Sequence, residues 1–430
     1  MASKTVGLKT LRIVIMLLLI TWIVSACSSP SPEPSQPPQP TETPEEGQTI
    51  TLINPPDSNN TDKEQTSKYQ IQTRLTDFQL LSESEGIAWG VTKNELRLYM
   101  TRDNGMTWAK ISPAPNVQFL SNPIYGKDIF FTDPSNGWII RNASGMTESI
   151  VLRTKDGGQT WKVSSLGEGS TVSSIYFTSP NNGWLMTSWN STGIKESKAL
   201  YSTNDGGATW KEVMQNEAYN PNLPSSEIPI SGVVTGMIFK DNSNGFVTLQ
   251  TGALPKIYVT KDGGRSWSKG PTFVVNDQLE NCDKVITGSP EFFDERKESG
   301  WLVVSCQNDK DNSVTNHGYF TANGGESWVF APFGLSSRTG INRFVTPTFI
   351  NSQVGWTLDG STLYQTIDQG LTWKPLPESS VLKSKLLEYP EIVKLEFYSS
   401  DVGWLLIEKK EDKRSILLQT TNGGVSWRVM

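Results

Sequence analysis

The chain has 430 residues, a formal net charge of −6, 15 Trp, 36 Gly and a single His. That length suits two or three ordinary domains or one closed all-β ring. Residues 1–26 hold Lys4, Lys9 and Arg12 and no acid, so the remaining chain carries about −9, which argues against non-specific nucleic-acid binding, a process that needs basic surface.

The N-terminus reads as an export signal. Lys4, Lys9 and Arg12 precede a short apolar run, Ile13 to Ile23, too short for a comfortable bilayer span of about 20 residues. It ends in Val24-Ser25-Ala26-Cys27. This resembles the bacterial lipobox, which implies that residues 1–26 are removed and that Cys27 is diacylated on sulfur. The expected location is then the extracytoplasmic face of the cell membrane, reached through the lipid. Residues 27–68 form the second expected segment, a lipidated Cys followed by a Pro- and Ser-rich tether. Ser28-Ser-Pro-Ser-Pro-Glu-Pro-Ser-Gln-Pro-Pro-Gln-Pro cannot bury a core and is expected to be disordered and extended, with a reach of up to ~125 Å.

Residues 69–430 are organised by repeats. The signature is Thr101-Arg-Asp103-Asn-Gly105-Met-Thr107-Trp108, then Thr154-Lys-Asp156-Gly-Gly158-Gln-Thr160-Trp161. It recurs with Asp205 and Trp210, Asp262 and Trp267, Asn323 and Trp328, Asp368 and Trp373, and Asn422 and Trp427. Upstream of these boxes stand Gly137-Trp138, Gly183-Trp184, Gly245-Phe246, Gly300-Trp301, Gly355-Trp356 and Gly403-Trp404, with Gly86-Ile87 as a degenerate first copy. Phe131, Phe177, Phe239, Phe349 and Phe397 precede them by seven residues, and in the fifth repeat Phe293 lies eight before Trp301. Four short strands every ~50 residues make one propeller blade. The expected fold is an all-β, seven-bladed β-propeller with four antiparallel strands per blade.

The box signature resembles the Asp box, or bacterial neuraminidase repeat. It reads as the turn between the third and fourth strands, with the Asp side chain capping its own backbone and the Gly supplying positive φ. The box Trp is expected to pack between blades with its ring N–H satisfied. Asn323 and Asn422 stand where Asp is usual, which a turn tolerates and a catalytic carboxylate does not. The boxes are therefore structural, and no catalytic residue, metal or cofactor is expected.

Function is expected on the opposite face, in the loops 113–127, 213–232, 270–287, 331–346, 306–317 and 408–415, because binding groups usually sit on loops carried by a rigid scaffold. Trp189 with Asn190 is the candidate there, for sugar stacking or for plain packing. His317 has no partners at metal spacing. Glu408 to Arg414 reads as a solvated hairpin tip. Cys282 and Cys306 fall on one face of one blade and are a disulfide candidate in an oxidising compartment. Residues 69–75 are expected to reinforce blade 7 at ring closure.

Over residues 69–430 the chain is similar to the photosystem II assembly and stability factor family. That resemblance implies a non-catalytic protein whose loop face binds a protein or peptide partner, and a monomer is expected. The competing readings are a glycan-binding propeller and a sialidase-like glycoside hydrolase; a sialidase would need an Arg-Ile-Pro motif, which the chain lacks.

Overall fold

A computed structural model describes residues 50–53, 71–113, 118–119, 121–142, 148–168, 171–193, 195–217, 227–271 and 277–430. The expected signal peptide, Cys27 and most of the tether lie outside these residues.

Seven antiparallel sheets follow one another along the chain, each with its first strand innermost and its last outermost. Blade 1 is Asp77–Leu80, Gly86–Thr92, Glu95–Thr101 and Ala109–Lys110; blade 2 is Ile129–Phe131, Gly137–Arg141, Glu148–Thr154 and Thr160–Glu168. Blade 3 is Thr171–Phe177, Gly183–Thr192, Lys195–Thr203 and Lys211–Asn216; blade 4 is Val233–Phe239, Gly245–Gln250, Pro255–Thr260 and Ser268–Lys269. In blade 5 the inner strand is broken into Lys284–Thr287 and Glu291–Phe292, followed by Gly300–Asn308, Ser313–Thr321 and Val329–Ala331. Blade 6 is Thr348–Phe349, Gly355–Asp359, Thr362–Thr366 and Lys374–Pro375; blade 7 is Glu391–Phe397, Val402–Lys409, Arg414–Thr421 and Arg428–Val429. The fold is the seven-bladed propeller of four-stranded blades that the repeats imply.

The seams between blades are built by the glycine–aromatic pair on the second strand of every blade but the first, which has Gly86-Ile87 instead. Trp138 stacks on Phe177 of the next blade at 3.6 Å, Trp184 on Phe239 at 3.8 Å and Trp356 on Phe397 at 4.1 Å. The same three indoles donate to carbonyls of the next blade's box turn, at Gly206, Gly263 and Gly423, over 2.8–3.1 Å. Each Phe then meets its own blade's box Trp edge-on, as in Phe177–Trp210 and Phe239–Trp267. The glycine has a steric reason. A Cβ on Gly137, Gly183, Gly245, Gly355 or Gly403 would fall within 3.0 Å of the Phe ring of its own inner strand. In blade 5 the ring over Gly300 is Phe292, not Phe293, because the register pairs Phe292 with Gly300.

The expected place of the box Trp needs correction. Only Trp161, Trp267 and Trp427 are buried; Trp108, Trp210, Trp328 and Trp373 are half-buried. Trp161 donates across a seam to the Ile111 carbonyl, whereas Trp267 and Trp427 donate within their own turns, to Gly264 and Gly424. The ring N–H groups of Trp210, Trp328 and Trp373 find no acceptor among the described residues. The inter-blade contact falls mainly to the second-strand aromatics.

Among the described residues no strand is exchanged at the closing seam, because all four strands of blade 7 come from the C-terminal end of the chain. Closure is made by side chains. Trp404 is fully buried between Phe78 and Trp108 and donates to Asn104 Oδ1 at 2.9 Å. Gln419 and Arg428 also donate to the Asn104 carbonyl, over 2.6 and 2.8 Å. Residues 71–75 lie along this seam without strand pairing. Arg74 makes a 2.6 Å ion pair with Glu408, and the Leu75 N–H donates to Ser415 Oγ. Glu408 is buried, so the charge run from Glu408 to Arg414 is not simply a solvated tip; its first member ties down the entry to the ring.

A second correction concerns the tether. Ile50–Ile53 is a strand, antiparallel to the outer strand of blade 2, with Ile50 opposite Val163 and Ile53 opposite Thr160. That outer strand is nine residues long, while those of blades 1, 4, 6 and 7 have only two. A long bare edge invites pairing with other chains, and Ile50–Ile53 covers the longest one.

Candidate functional site

The two faces of the ring differ in what their turns do. On one face, all seven box turns dock on the turn between the first two strands of the same blade. Backbone N–H groups of Asn104, Gly157, Gly206, Gly263, Gly324, Gln369 and Gly423 donate to Ser84, Ser135, Asn181, Ser243, Glu298, Gln353 and Asp401. Inside the blade 3 box, Thr203 Oγ1 donates to Asp205 and accepts from the Gly207 N–H. Asp205 accepts from both the N–H and the hydroxyl of Thr209. Asp103, Asp156, Asp262 and Asp368 repeat this arrangement. At Asn323 and Asn422 the amide oxygen still accepts from the Ser327 or Ser426 N–H, while the amide NH2 donates to the hydroxyl. The serine thus turns from donor to acceptor and the turn survives.

The electrostatics of the boxes follow. For Asp103 the Thr107 hydroxyl is the main cause holding the carboxyl below its usual value. For Asp156, Asp205 and Asp262, partial burial pushes upward, but donation from Thr160, Thr209 and Ser266 and their backbone outweighs it, and the carboxyls are again lowered. These carboxylates are saturated by their own turns.

Polar groups also line the axis, where the inner strands meet. Lys394 Nζ lies 2.9 Å from Glu396 and 3.6 Å from Asp77. Confinement pulls the Lys394 pKa down, but these two carboxylates outweigh it and hold it above its ordinary value. Glu291 accepts from the Trp301 ring N–H at 3.0 Å, and desolvation inside the ring raises its pKa. Lys297, on the box face, reaches the Tyr176 hydroxyl at 3.1 Å and the Phe239 carbonyl at 2.9 Å; confinement pushes the Tyr176 phenol up to about 12. None of these axial residues carries a local motif. Their meeting depends on closing the ring.

The opposite face holds the remaining expected residues. Trp189 lies within the second strand of blade 3, which runs on to Thr192, rather than after it. It is half-buried and opposite Ser197; Asn190 is exposed with φ +50° at a bulge. Cys282 and Cys306 are joined by a disulfide with Cα atoms 5.4 Å apart. The bond clamps the connection entering blade 5 onto that blade's second strand. His317 is buried; its Nδ1 accepts from the Phe333 N–H and its ring lies against Phe330. Burial lowers its pKa. No group of three His, Cys, Asp or Glu suited to a metal occurs among the described residues. None of their helices is long and apolar enough to cross a membrane.

One element of this face, a helix, lies outside the repeat signatures. Helix Ser380–Glu388 connects blades 6 and 7, with Ser379 as its N-cap and Leu382 and Leu386 buried beneath it. Its end meets the loop entering blade 6: Asn342 donates to the Pro390 carbonyl and accepts from the Ile392 N–H.

Ring and faces together define a seven-bladed propeller with one self-saturated face and one face of projecting loops. A family model described as sortilin, neurotensin receptor 3, matches residues 96–223. No curated protein matches the chain. Among solved structures, YCF48 bound to D1 peptide is similar at 17% identity and a TM-score of 0.49, over 82% of this chain and 93% of that one. A puromycin-hydrolysing peptidase of Mycobacterium tuberculosis is similar at 10% identity and a TM-score of 0.50, over 84% of this chain. The chain spans about half (52%) of that peptidase. These likenesses concern the fold.

Proposed function

We propose that this protein is a non-catalytic, lipid-anchored scaffold on the extracytoplasmic face of the cell membrane, and that its loop face binds a protein or peptide partner. Residues 1–26 as signal, Cys27 as lipid site and the residues between Cys27 and the Ile50–Ile53 strand as tether are parts of this reading, as is the assignment of the boxes to the Asp-box repeat of assembly-factor propellers. The observation that carries it is the exposure of large apolar side chains on the loop face. Ile341 is 62% exposed, Phe344 54% and Leu387 81%. Phe344 and Ile341 flank the Asn342 that joins their loop to the end of the Leu387 helix. Rigidly held apolar groups rimmed by charge are a common mark of protein interaction. The disulfide is in keeping with an exported protein.

The test is crosslinking and pull-down of the lipidated protein from native membranes. The expected result is a partner lost on Phe344→Asp with Leu387→Asp, and release of the protein from the membrane on Cys27→Ser. Hydrolysis of a sialoside or glucan by the purified chain would overturn the reading.

A further inference from the structure

The regular seam lapses between blades 4 and 5. Gly245-Phe246 replaces glycine–tryptophan there, and Phe246 meets Phe292 tilted at 5.9 Å rather than stacked at 3.6–4.1 Å as in three other seams. With no indole N–H to give, the carbonyl of Gly324 accepts from Lys240 Nζ instead. Next to this seam, on the loop-face side, is a pocket of about 270 Å³. Its floor is Ile257, Val285, Val304 and Tyr319, all buried, and Leu279 forms one wall. Among the described residues, the charged ones lining it are Lys256 and Lys269, both exposed. The Cys282–Cys306 disulfide holds the wall in place: the Cys282 N–H donates to the Leu279 carbonyl, and Cys306 is the strand partner of Val285.

We infer that this pocket, between blades 4 and 5, receives one aromatic side chain of the partner polypeptide, with an acidic residue beside it meeting Lys256 and Lys269. The inference rests on the scaffold reading above and names the chemistry of its partner. Volume and lining select the anchor. An apolar cavity of about 150 Å³ already admits benzene, so this one takes a phenyl or indole group and has too little polar surface for a sugar. The rim selects the neighbour, because two lysines, with no acid among the described lining residues, favour a carboxylate. A buried aromatic in a desolvated pocket with a charged rim is the usual form of a binding hot spot.

The experiment uses the full-length chain in nanodiscs, which avoids free detergent, and follows fluorescence anisotropy of the labelled peptide Gly-Asp-Phe-Asp-Gly. Saturable binding is expected, at least tenfold weaker for Val304→Trp, which fills the pocket, and for Lys256→Glu with Lys269→Glu, which keeps the core intact. The lysine-reversed variant should instead prefer Gly-Lys-Phe-Lys-Gly. Equal binding of Gly-Asp-Ser-Asp-Gly, unchanged binding by the lysine-reversed variant, or phenylacetate binding as tightly as the peptide would overturn the inference. If membrane pull-down captures a partner that both pocket variants retain, the pocket assignment fails and the scaffold reading stands. If the native chain captures nothing, the scaffold reading itself fails.

Discussion

Trp404→Phe tests how the ring is closed. The change removes the donor to Asn104 Oδ1, worth about 1 kcal/mol net. It also removes three non-hydrogen atoms from a fully buried site, roughly 1 kcal/mol of apolar transfer and about as much again for the cavity left behind. The sum, roughly 2–3 kcal/mol, corresponds to a fall in Tm of about 3–4 °C for a ring of roughly 360 residues unfolding as a unit. Trp356→Phe loses the same groups between blades 6 and 7, so its loss of Tm should be similar. The two differ in covalent context. The seam at Trp356 is bridged by the chain through helix Ser380–Glu388, whereas the seam at Trp404 has no peptide link. Opening between blades 7 and 1 is therefore the cheapest sub-global event, and Trp404→Phe should make it cheaper still. Hydrogen exchange followed by mass spectrometry should show lost protection in Asp77–Leu80 and Arg414–Thr421, which Trp356→Phe leaves protected. Equal protection in the two variants, or a Tm change below about 1 °C for Trp404→Phe, would refute side-chain closure.

Gly183→Ala should cost several kcal/mol in denaturant unfolding, since its Cβ would strike the Phe177 ring, whereas Gly288→Ala, with open space around it, should stay within about 0.5 kcal/mol. Asp205→Ala should cost about 1–2 kcal/mol of thermal stability by orphaning the Thr209 donors, while Asn323→Asp should be near neutral at pH 7, because Ser327 can turn back to donor. Asp205→Asn should flatten the acid limb of stability against pH: a lowered folded pKa means the contribution is complete above the unfolded value and is lost as pH falls through the folded one. His317, also lowered by burial, obeys the same sign from a higher start: stability complete above the ordinary imidazole value of about 6.5 declines as pH falls, and His317→Gln should remove that decline between pH 7 and 5 in Tm measurements. Replacing Ile50–Ile53 by Gly-Ser-Gly-Ser should bare the outer edge of blade 2 and raise light scattering on storage, with little change in Tm.

Blade number, strand order and the division into two faces were legible because each follows from local chemistry repeated seven times. A box is a turn whose donors and acceptors lie within eight residues, so its sequence and its hydrogen bonds are the same object. The glycine of each glycine–aromatic pair was visible, but its cause was not: the ring that excludes a Cβ belongs to the preceding strand and is set by register. Register also decided between Phe292 and Phe293. Ile50–Ile53 was hidden because a polar, Pro-rich background masks four residues that gain a partner only across the fold. The axial group of Asp77, Glu291, Lys394 and Glu396 was unreadable for a related reason, since its members lie on three blades brought together only when the ring closes.

The two substitutions of Asn for Asp and the one of Phe for Trp carry different information. At Asn323 and Asn422 the replacement is compensated inside the same turn by a serine hydroxyl, so nothing beyond the turn changes. At Phe246 compensation comes from elsewhere: Lys240 takes over the Gly324 carbonyl, the aromatic stack loosens, and space opens on both sides of the seam, in the 270 Å³ pocket and in a more open groove of about 510 Å³ that shares Lys269, Gly270 and Pro271 with it. Three other seams hold parallel stacks at 3.6–4.1 Å, which this one lacks, and Cys282–Cys306 crosslinks the blade beside it. A seam left open yet stapled at its rim has the construction of a binding site.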